Sequence, residues 1–389
     1  TAVEQLKNGA DVDIRTIPAI IGGDRESRHG IVLAKSPSAK KFGIRTGEPV
    51  VNAFRKCPNL HMDPPNHRMY REYSRRLMDF LKTYTPEIEQ VSVDECYMDF
   101  TGIAQRFSSP VEAAYEIKAR VYEKFGFTVN VGISTNKLLA KMASDFEKPN
   151  RVHTLFPEEV KEKMWPLPVS ELFMAGKSSV AILEKLEIRT IGELAQTDPK
   201  LLEFHLKSHG RTLWEFANGI GDAKVQSEET AAKGVGNSTT LPKDVEKAED
   251  AKKVLFSLAE SVGKRLRKAG QKANMVSVEI RYSDFQNVSH QKQLGRASGA
   301  DQVIYEAACS LFDELWNGEP IRLLGVRTAK LVDEDEPEQL SLFDLQFEVK
   351  SEKPKKSMEK LKKLSAAMGE IRGKYGADAV IRGSVLEQR

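Results

Sequence analysis

In the first 160 or so residues, short continuous apolar runs alternate with stretches whose apolar residues have helical spacing. Short apolar runs at 17–21 and 127–133 predict β-strands. Between them, residues 66–83 and 110–125 carry apolar side chains at helical spacing, and a further helix is predicted from about Lys137 to Phe146. Strands and helices mixed in this way predict an α+β domain with an antiparallel sheet.

The pattern changes twice further along the chain. Residues 165–222 lose the strand signals and show short helices broken by Pro and Gly, which predicts a small all-α unit. Residues 223–238 are polar and contain Gly and Ser, as expected of a linker. Residues 239–332 then follow the order strand, helix, strand, strand, helix, strand, which predicts a split βαβ domain. The tail, 333–389, starts acidic and continues with a predicted basic helix.

Composition adds only broad limits. The 389 residues are 30% charged and 40% hydrophobic, as in a globular protein, and the net charge of +3 is weak evidence for a polyanionic partner. The three cysteines lie far apart and form no CxxC pair, so neither a disulfide framework nor a zinc site is predicted. No apolar run approaches about 18 residues, so no membrane span is predicted and a cytoplasmic location is expected.

Two acids stand side by side in VSVDECYMDF, residues 91–100. Burying one carboxylate costs on the order of several kcal/mol unless it is paired or bound to a metal. Strands predicted at 88–93 and 96–100 place a bend at Asp94 and Glu95, where both carboxylates could face one cation such as Mg²⁺. The alternative is an exposed hairpin tip with two solvated acids.

A second motif, ISTNKLLAKMASDFEKPN, spans residues 133–150 and carries Lys137, Lys141 and Lys148. Lysines near a carboxylate pair suit a triphosphate, because they neutralise its charge while metal ions bridge it. Lysines on a helix taken alone are more often a solvated face, and the acids upstream favour the functional interpretation.

Together, SVDECYMD and VGISTNKLLAKMASDFEKPN resemble the Y-family of low-fidelity translesion DNA polymerases, and within it the bacterial DinB (DNA polymerase IV) branch. The resemblance covers essentially the whole chain. It implies an α+β multidomain right-hand polymerase with palm and fingers, an all-α helix-hairpin-helix thumb and a βαββαβ little finger. The implied boundaries are 1–164 for the palm with fingers inserted at about 12–65, 165–222 for the thumb, 223–238 for a linker, 239–332 for the little finger and 333–389 for the tail.

The same resemblance implies the chemistry. The chain would be a template-directed DNA polymerase that adds dNTPs to a primer 3′ end with two Mg²⁺ ions. Asp94 and Glu95 would be two of three catalytic, metal-binding carboxylates, and Lys148 would contact the triphosphate. Primer–template DNA and dNTP would be its partners, and a monomer is expected.

Two departures from the family pattern stand out. The chain begins TAVEQL, and Thr1–Glu4 match the helix that follows the family's first aspartate motif. The first catalytic aspartate and the aromatic steric gate would then precede Thr1, which predicts a chain that binds DNA but catalyses poorly. In the fingers, Lys40 stands where relatives carry an arginine. Lys35 and Lys40 are candidate nucleotide contacts, although a lysine cannot bind a phosphate through two parallel hydrogen bonds as an arginine can.

Candidate DNA contacts follow from the implied thumb and little finger. Hairpins of the helix-hairpin-helix type present backbone N–H groups at a helix N-terminus to a phosphate. Basic side chains on a sheet can follow a phosphate backbone, although ordinary surface charge is the alternative. The predicted DNA-binding residues are Gly176, Lys177, Ser178, Gly210, Arg281, Arg296 and Arg327.

The segment QLSLF, residues 339–343, follows an acidic stretch and resembles the bacterial sliding-clamp-binding peptide. Leu342 and Phe343 would dock as apolar anchors beside Leu340, and Gln339 would form hydrogen bonds. The alternative is an apolar patch that packs on its own protein.

Two other classes of function stay open at this point. One is a non-catalytic DNA-binding scaffold related to the Y-family. The other is a nucleotide cyclase-like palm enzyme, which would not need the thumb, the little finger or the clamp peptide.

Overall fold

A computed structural model describes residues 1–24, 30–228 and 231–336, together with 367–368, 371, 374–375 and 379–380. The described chain separates into two compact units. The first contains residues 1–22, 32–48 and 53–228, and the second is built mainly on residues 231–336. Among the described helices, none is both long and apolar enough to cross a bilayer.

The amino-terminal elements include a small three-stranded sheet. Strand β1 pairs antiparallel with β2 and parallel with β3. In chain order the elements are α1 (Ala2–Lys7), β1 (Ala19–Gly22), β2 (Val32–Lys35), α2 (Pro37–Lys41), α3 (Val50–Lys56), β3 (His61–Asp63) and α4 (His67–Leu81).

Two further strand pairs complete the strands of the first unit. Strands β4 and β5 form an antiparallel hairpin, and β6 and β7 lie parallel. The elements are β4 (Ile88–Gln90), β5 (Cys96–Met98), α5 (Pro110–Phe125), β6 (Val131–Ile133), α6 (Lys137–Asp145) and β7 (Val152–Thr154). The prediction of an antiparallel sheet here is correct only in part, because β1–β2 and β4–β5 are antiparallel whereas β1–β3 and β6–β7 are parallel. The described strands of the first unit form three small sheets, and a parallel pair such as β6–β7 needs the crossover that α6 supplies.

Helices α4 and α5 enclose the core beneath the β4–β5 hairpin. Helix α5 begins at the residues the sequence predicts because the Ser109 hydroxyl accepts the N–H of Glu112 and Pro110 fits the first helical position. It ends at Gly126, whose φ of 77° suits glycine. The buried apolar residues of this core are Leu77, Met78, Phe80, Leu81, Tyr84, Ile88, Ile117, Val121 and Phe125.

Short helices follow, as the sequence predicts for 165–222. They are α7 (Lys177–Lys185), α8 (Ile191–Gln196), α9 (Pro199–Leu206) and α10 (Ser208–Ala217). Their buried side chains form one cluster with the apolar residues of α6. This helical region therefore packs against the apolar face of α6.

The second unit contains one four-stranded sheet in the order β10-β9-β11-β8, with all neighbours antiparallel. Strand β11 lies between β8 and β9, which confirms the predicted split βαβ order. The strand starting at Gly234 shows that residues 234–238, predicted as linker, belong to the sheet. The elements are β8 (Gly234–Val245), α11 (Ala248–Lys268), β9 (Gln271–Tyr282), β10 (Asn287–Ser298), α12 (Asp301–Leu315) and β11 (Ile321–Asp333).

Candidate active site

The two adjacent acids lie in the turn that joins β4 to β5. Pairing of Gln90 with Cys96 leaves residues 91–95 outside the ladder. The backbone N–H groups of Val91 and Ser92 both donate to the carbonyl oxygen of Glu95, at 3.0 and 3.2 Å, and these bonds close the turn. Neighbours on a straight strand would point to opposite faces, so the turn frees Asp94 and Glu95 from that alternation.

Each acid has its own polar contact. The Ser92 hydroxyl donates to Asp94 Oδ1 at 2.7 Å and accepts the N–H of Asp94 at 3.3 Å. The Lys141 ammonium donates to Glu95 Oε1 at 2.6 Å. Asp94 is thus anchored within the turn, whereas Glu95 is connected to a helix 46 residues further along the chain.

Helix α6 supplies the cationic side of the site. It begins after Asn136, whose side-chain oxygen accepts the N–H of Leu139 at 2.8 Å. One face of the helix packs into the core shared with α7–α10. Residues three and four apart share a helical face, so Lys141 and Asp145 lie together on another side.

Lys141 is largely buried between two acids. Its side chain is 17% exposed and lies 2.6 Å from Glu95 and 3.3 Å from Asp145 Oδ2. Burial alone acts to lower the pKa of Lys141, but the hydrogen bond to Glu95 and the charges of Asp145 and Glu95 raise that pKa above its ordinary value. The lysine is therefore held in its charged form.

Lys148, the predicted triphosphate contact, lies just beyond α6. Its ammonium is 2.6 Å from Asp145 Oδ1, and its side chain is 59% exposed. Burial acts to raise the pKa of Asp145, but the hydrogen bond from Lys148 and the charge of Lys141 lower it below the ordinary value. The ion pair with Asp145, the last residue of α6, thus holds Lys148 beside that helix.

The acids at the turn suit a hard divalent cation. Mg²⁺ prefers carboxylate oxygens and commonly takes the rest of its ligands from water and substrate phosphates. Asp94 and Glu95 supply two such carboxylates at an accessible turn. Within the described residues, no group of three or more His, Cys, Asp and Glu side chains is placed to hold a metal ion. The fit therefore rests on these two carboxylates and on ligands from a substrate.

A second ionic network beside the site was not found from the sequence. The Lys137 ammonium lies 2.9 Å from Glu89 on β4 and 3.1 Å from Asp222. Glu89 also accepts the backbone N–H of Gln226 at 2.9 Å, and Glu87 accepts the hydroxyl of Ser227 at 2.8 Å. These contacts fasten part of the predicted linker to the first unit. The available sequence signal was a pair of acids two residues apart, Glu87 just before β4 and Glu89 within it.

The two candidate finger lysines lie near the β1–β2–β3 sheet. Lys35 is the last residue of β2 and donates to the Thr46 hydroxyl at 3.2 Å. Lys40 is exposed in the last turn of α2, which Ser36 caps by accepting the N–H of Ala39. Both positions are reachable from solvent, and their contact with a nucleotide stays a prediction.

The thumb candidates fall into two groups. Gly176 directly precedes α7, Lys177 and Ser178 occupy its exposed first turn, and their contact with a phosphate stays a prediction. Gly210 instead lies buried inside α10, and its N–H donates to the carbonyl of Lys207. A Cβ at this position would overlap the carbonyl of Leu202. Gly210 is therefore explained by the close approach of α9 and α10, and its assignment as a phosphate-binding turn glycine is corrected.

The three candidate arginines of the second unit lie on three strands. Arg327 on β11 is exposed between buried Val326 and Thr328, which places it on the sheet face opposite the core. Arg281 on β9 is half-buried and donates to Asn287 Oδ1 at 2.7 Å. Arg296 is half-buried on β10. The predicted clamp-binding residues Gln339, Leu340, Leu342 and Phe343 lie outside the described residues.

Comparison with known protein families gives two matches. The impB/mucB/samB family matches residues 1–145. The C-terminal domain of the impB/mucB/samB family matches residues 232–342. The first match contains the acid turn and α6, and the second contains the four-stranded sheet.

Curated relatives match along nearly the whole chain. DNA polymerase IV of Clostridium acetobutylicum is 47% identical over 388 residues, which cover 100% of this chain and 95% of that protein. DNA polymerase IV 1 of Bacillus subtilis is 37% identical and covers 97% of this chain and 89% of its own length. The first alignment takes in the whole of this chain and 95% of the relative, and the expectation of a first aspartate motif ahead of Thr1 stays a prediction.

Solved structures show the same fold. A Y-family DNA polymerase chimera superposes with a TM-score of 0.75 at 24% identity, over 85% of this chain and 96% of that one. DinB from Sulfolobus solfataricus superposes with a TM-score of 0.55 at 23% identity, over 84% of this chain and 96% of that one. This likeness extends to a palm, fingers and little-finger architecture.

Proposed function

The chain belongs to the Y-family of DNA polymerases, the impB/mucB/samB family, and from this membership we infer that it copies DNA by translesion synthesis. It is a DNA-directed DNA polymerase, a nucleotidyltransferase whose substrates are primer–template DNA and dNTPs. In this reaction the primer 3′ oxygen forms a bond to the α-phosphorus of the dNTP, and the bond to the departing pyrophosphate breaks.

The observation that carries the proposed site is the acid turn facing the lysines of α6. Y-family polymerases use divalent metal ions, and we assign Asp94 and Glu95 as the side chains that would hold them, with two Mg²⁺ ions as the proposed complement. Bound there, the cations would activate the primer hydroxyl and neutralise charge on the phosphates. Lys148, on an exposed and flexible stem, would bind the triphosphate, and Lys35 and Lys40 are further candidates.

The DNA contacts proposed here use backbone and charge and read no sequence. Gly176, Lys177 and Ser178 would present backbone N–H groups at the start of α7 to a phosphate. Arg281 and Arg327 would lie along a DNA backbone on the sheet face opposite the core, and Arg296 on β10 is a further candidate. Such contacts suit an enzyme that must accept any template.

Primer extension tests the site directly. Replacing Asp94 by Ala should reduce extension about 1,000-fold or more, because losing a catalytic group typically costs that much. Extension is measured in single turnovers on a primer–template duplex with Mg²⁺. Glu123→Gln, an exposed acid on α5, is the matched control and should extend normally.

Extension by Asp94→Ala within about tenfold of the parent protein would contradict this site. If neither the parent protein nor Asp94→Ala extended the primer, the result would favour the non-catalytic scaffold. A cyclase-like enzyme would instead convert a lone nucleotide without DNA, and incubation with one nucleotide checks that alternative.

The remaining partners are proposals from the sequence motif and the family resemblance. We propose that residues 339–343 bind the bacterial sliding clamp, with Leu342 and Phe343 as anchors, and that the enzyme acts as a monomer in the cytoplasm. Both the clamp contact and the monomeric state can be measured on the purified full chain by analytical ultracentrifugation.

A further inference from the structure

Four charged side chains form a continuous line from the acid turn to the triphosphate-binding lysine. Glu95 lies 2.6 Å from Lys141, Lys141 lies 3.3 Å from Asp145, and Asp145 lies 2.6 Å from Lys148. The signs alternate along this line, which we name the ionic relay. Its two ends are the groups that the proposed function assigns to the metal ion and to the nucleotide.

Each of the two middle residues, Lys141 and Asp145, contacts a neighbour on both sides, so a change in one contact can alter the other. Lys141 donates to Glu95 while Asp145 lies slightly further away, and Asp145 also faces Lys148. An ammonium has three N–H donors, so Lys141 can tighten on either acid without leaving its position. Lys141 is 17% exposed, so its contacts with these acids are shielded from water more than the Lys148 pair is.

The outer lysine is the member that a substrate can remove. Lys148 is 59% exposed, and a lysine has a four-carbon stem that can adopt several conformations. An exposed ion pair of this kind is weak, and a triphosphate offers far more negative charge than one carboxylate. Binding of a triphosphate by Lys148 would leave Asp145 with Lys141 as its neighbouring cation.

We propose that Lys141 and Asp145 are positioning residues that transmit nucleotide capture by Lys148 to the metal-holding carboxylate Glu95. When Lys148 turns to a triphosphate, Asp145 draws Lys141 toward itself. Lys141 then loosens its hydrogen bond to Glu95, and that carboxylate becomes available to a divalent cation. Nucleotide and cation binding are thereby coupled, and the coupling acts equally in both directions.

A static interpretation makes a different prediction. If Lys141 served only to hold the turn, charge changes at positions 145 and 148 would alter cation affinity only by direct electrostatic interaction with the cation. Their effects on cation affinity would then add. In the relay, the effect of Lys148 passes through Asp145 and disappears when Asp145 is neutralised.

A double-mutant cycle separates the two interpretations. The full-length protein, without nucleotide, is titrated with Mn²⁺ alone, and free Mn²⁺ is measured by electron paramagnetic resonance. Glu95→Gln must weaken Mn²⁺ binding, because only then does the measured affinity belong to the site at Glu95. Lys148→Met should tighten Mn²⁺ binding about fivefold in the parent protein, and by less than about twofold when Asp145→Asn is also present.

The control cycle uses the neighbouring ion pair of Arg151 with Glu147, which are 3.0 Å apart. Arg151→Met and Glu147→Gln remove equal charges close by but stand outside the relay, so their effects should add. Equal effects of Lys148→Met in both Asp145 backgrounds would overturn the relay, and so would the same non-additivity in the control cycle. Circular dichroism checks folding, and Asp145→Ser replaces Asp145→Asn if that variant is unstable.

The relay rests on the proposed function, and the two can fail separately. Primer extension by Asp94→Ala is measured alongside the titrations. Full activity of that variant would remove the proposed site. An inactive Asp94→Ala with an additive Lys148 and Asp145 cycle would remove the relay alone. Mn²⁺ binding unchanged by Glu95→Gln would remove both the relay and the assignment of Glu95 to the metal.

Discussion

Lys148 shows how one residue can be identified by sequence motif while its partner is found only in the structure. The motif places it after α6, and the structure pairs it with Asp145 at 2.6 Å. A lysine acts on phosphate as a point charge and contributes mainly to binding. Its loss should therefore affect substrate affinity more than the chemical step.

We predict that Lys148→Met raises the KM for dNTP about tenfold or more and lowers kcat less, because uniform binding energy is lost. Steady-state extension at varied dNTP concentration measures both constants. Lys163→Met, which removes an exposed lysine paired with Glu159, is the control and should leave KM unchanged. An unchanged KM in Lys148→Met would contradict the assignment of this lysine to the nucleotide.

At the scale of elements, the position of α6 depends on its contact with β6. A Cβ on Gly132 would overlap the carbonyl oxygen of Ala140 in α6. The strand and the helix approach so closely here that only glycine fits. Because α6 carries Lys141 and Asp145, this contact fixes where the two middle residues of the relay lie relative to β6.

Gly132→Ala should destabilise the protein by about 1–3 kcal/mol, because the added methyl group meets backbone that cannot turn aside. Urea denaturation followed by circular dichroism measures the change. Gly102→Ala is the matched control, since nothing lies within 4 Å of its added Cβ. It should fall within about 0.5 kcal/mol of the parent protein. Equal stability of the two variants would show that α6 can move away from β6.

At the scale of the whole molecule, the chain combines a catalytic unit with a sheet unit that carries basic residues. Contacts that use backbone N–H groups and arginines give sequence-independent affinity that falls with salt. A weakly held template favours short synthesis, and a clamp tether would raise the local concentration of enzyme on DNA. The proposed clamp peptide therefore belongs to this scale.

Replacing Leu342 and Phe343 by Ala should leave extension without the clamp unchanged and abolish stimulation by the clamp. The apolar anchors are expected to supply most of the docking energy. Product lengths with and without a loaded clamp measure the effect. Lys355→Ala, a tail residue outside the peptide, is the control, and persistent stimulation of the double variant would refute the peptide assignment.

Local patterns in the sequence determined a large part of this protein. Periodicity predicted α4, α5 and α6, and the strand and helix order of the second unit, because hydrophobic spacing follows from backbone geometry within one element. The acid pair and the lysine motif were sufficient to suggest the polymerase family. Both motifs are contiguous, so their chemistry can be identified without knowing the fold.

Tertiary structure decided which distant residues meet. The pair of Glu95 with Lys141 joins residues 46 positions apart, and the Gln226 contact with Glu89 joins residues 137 apart. It also decided that β6 and β7 run parallel and that Gly210 is a packing residue. Such outcomes depend on how elements pack, and sequence spacing constrains neighbours on one element but not contacts between elements.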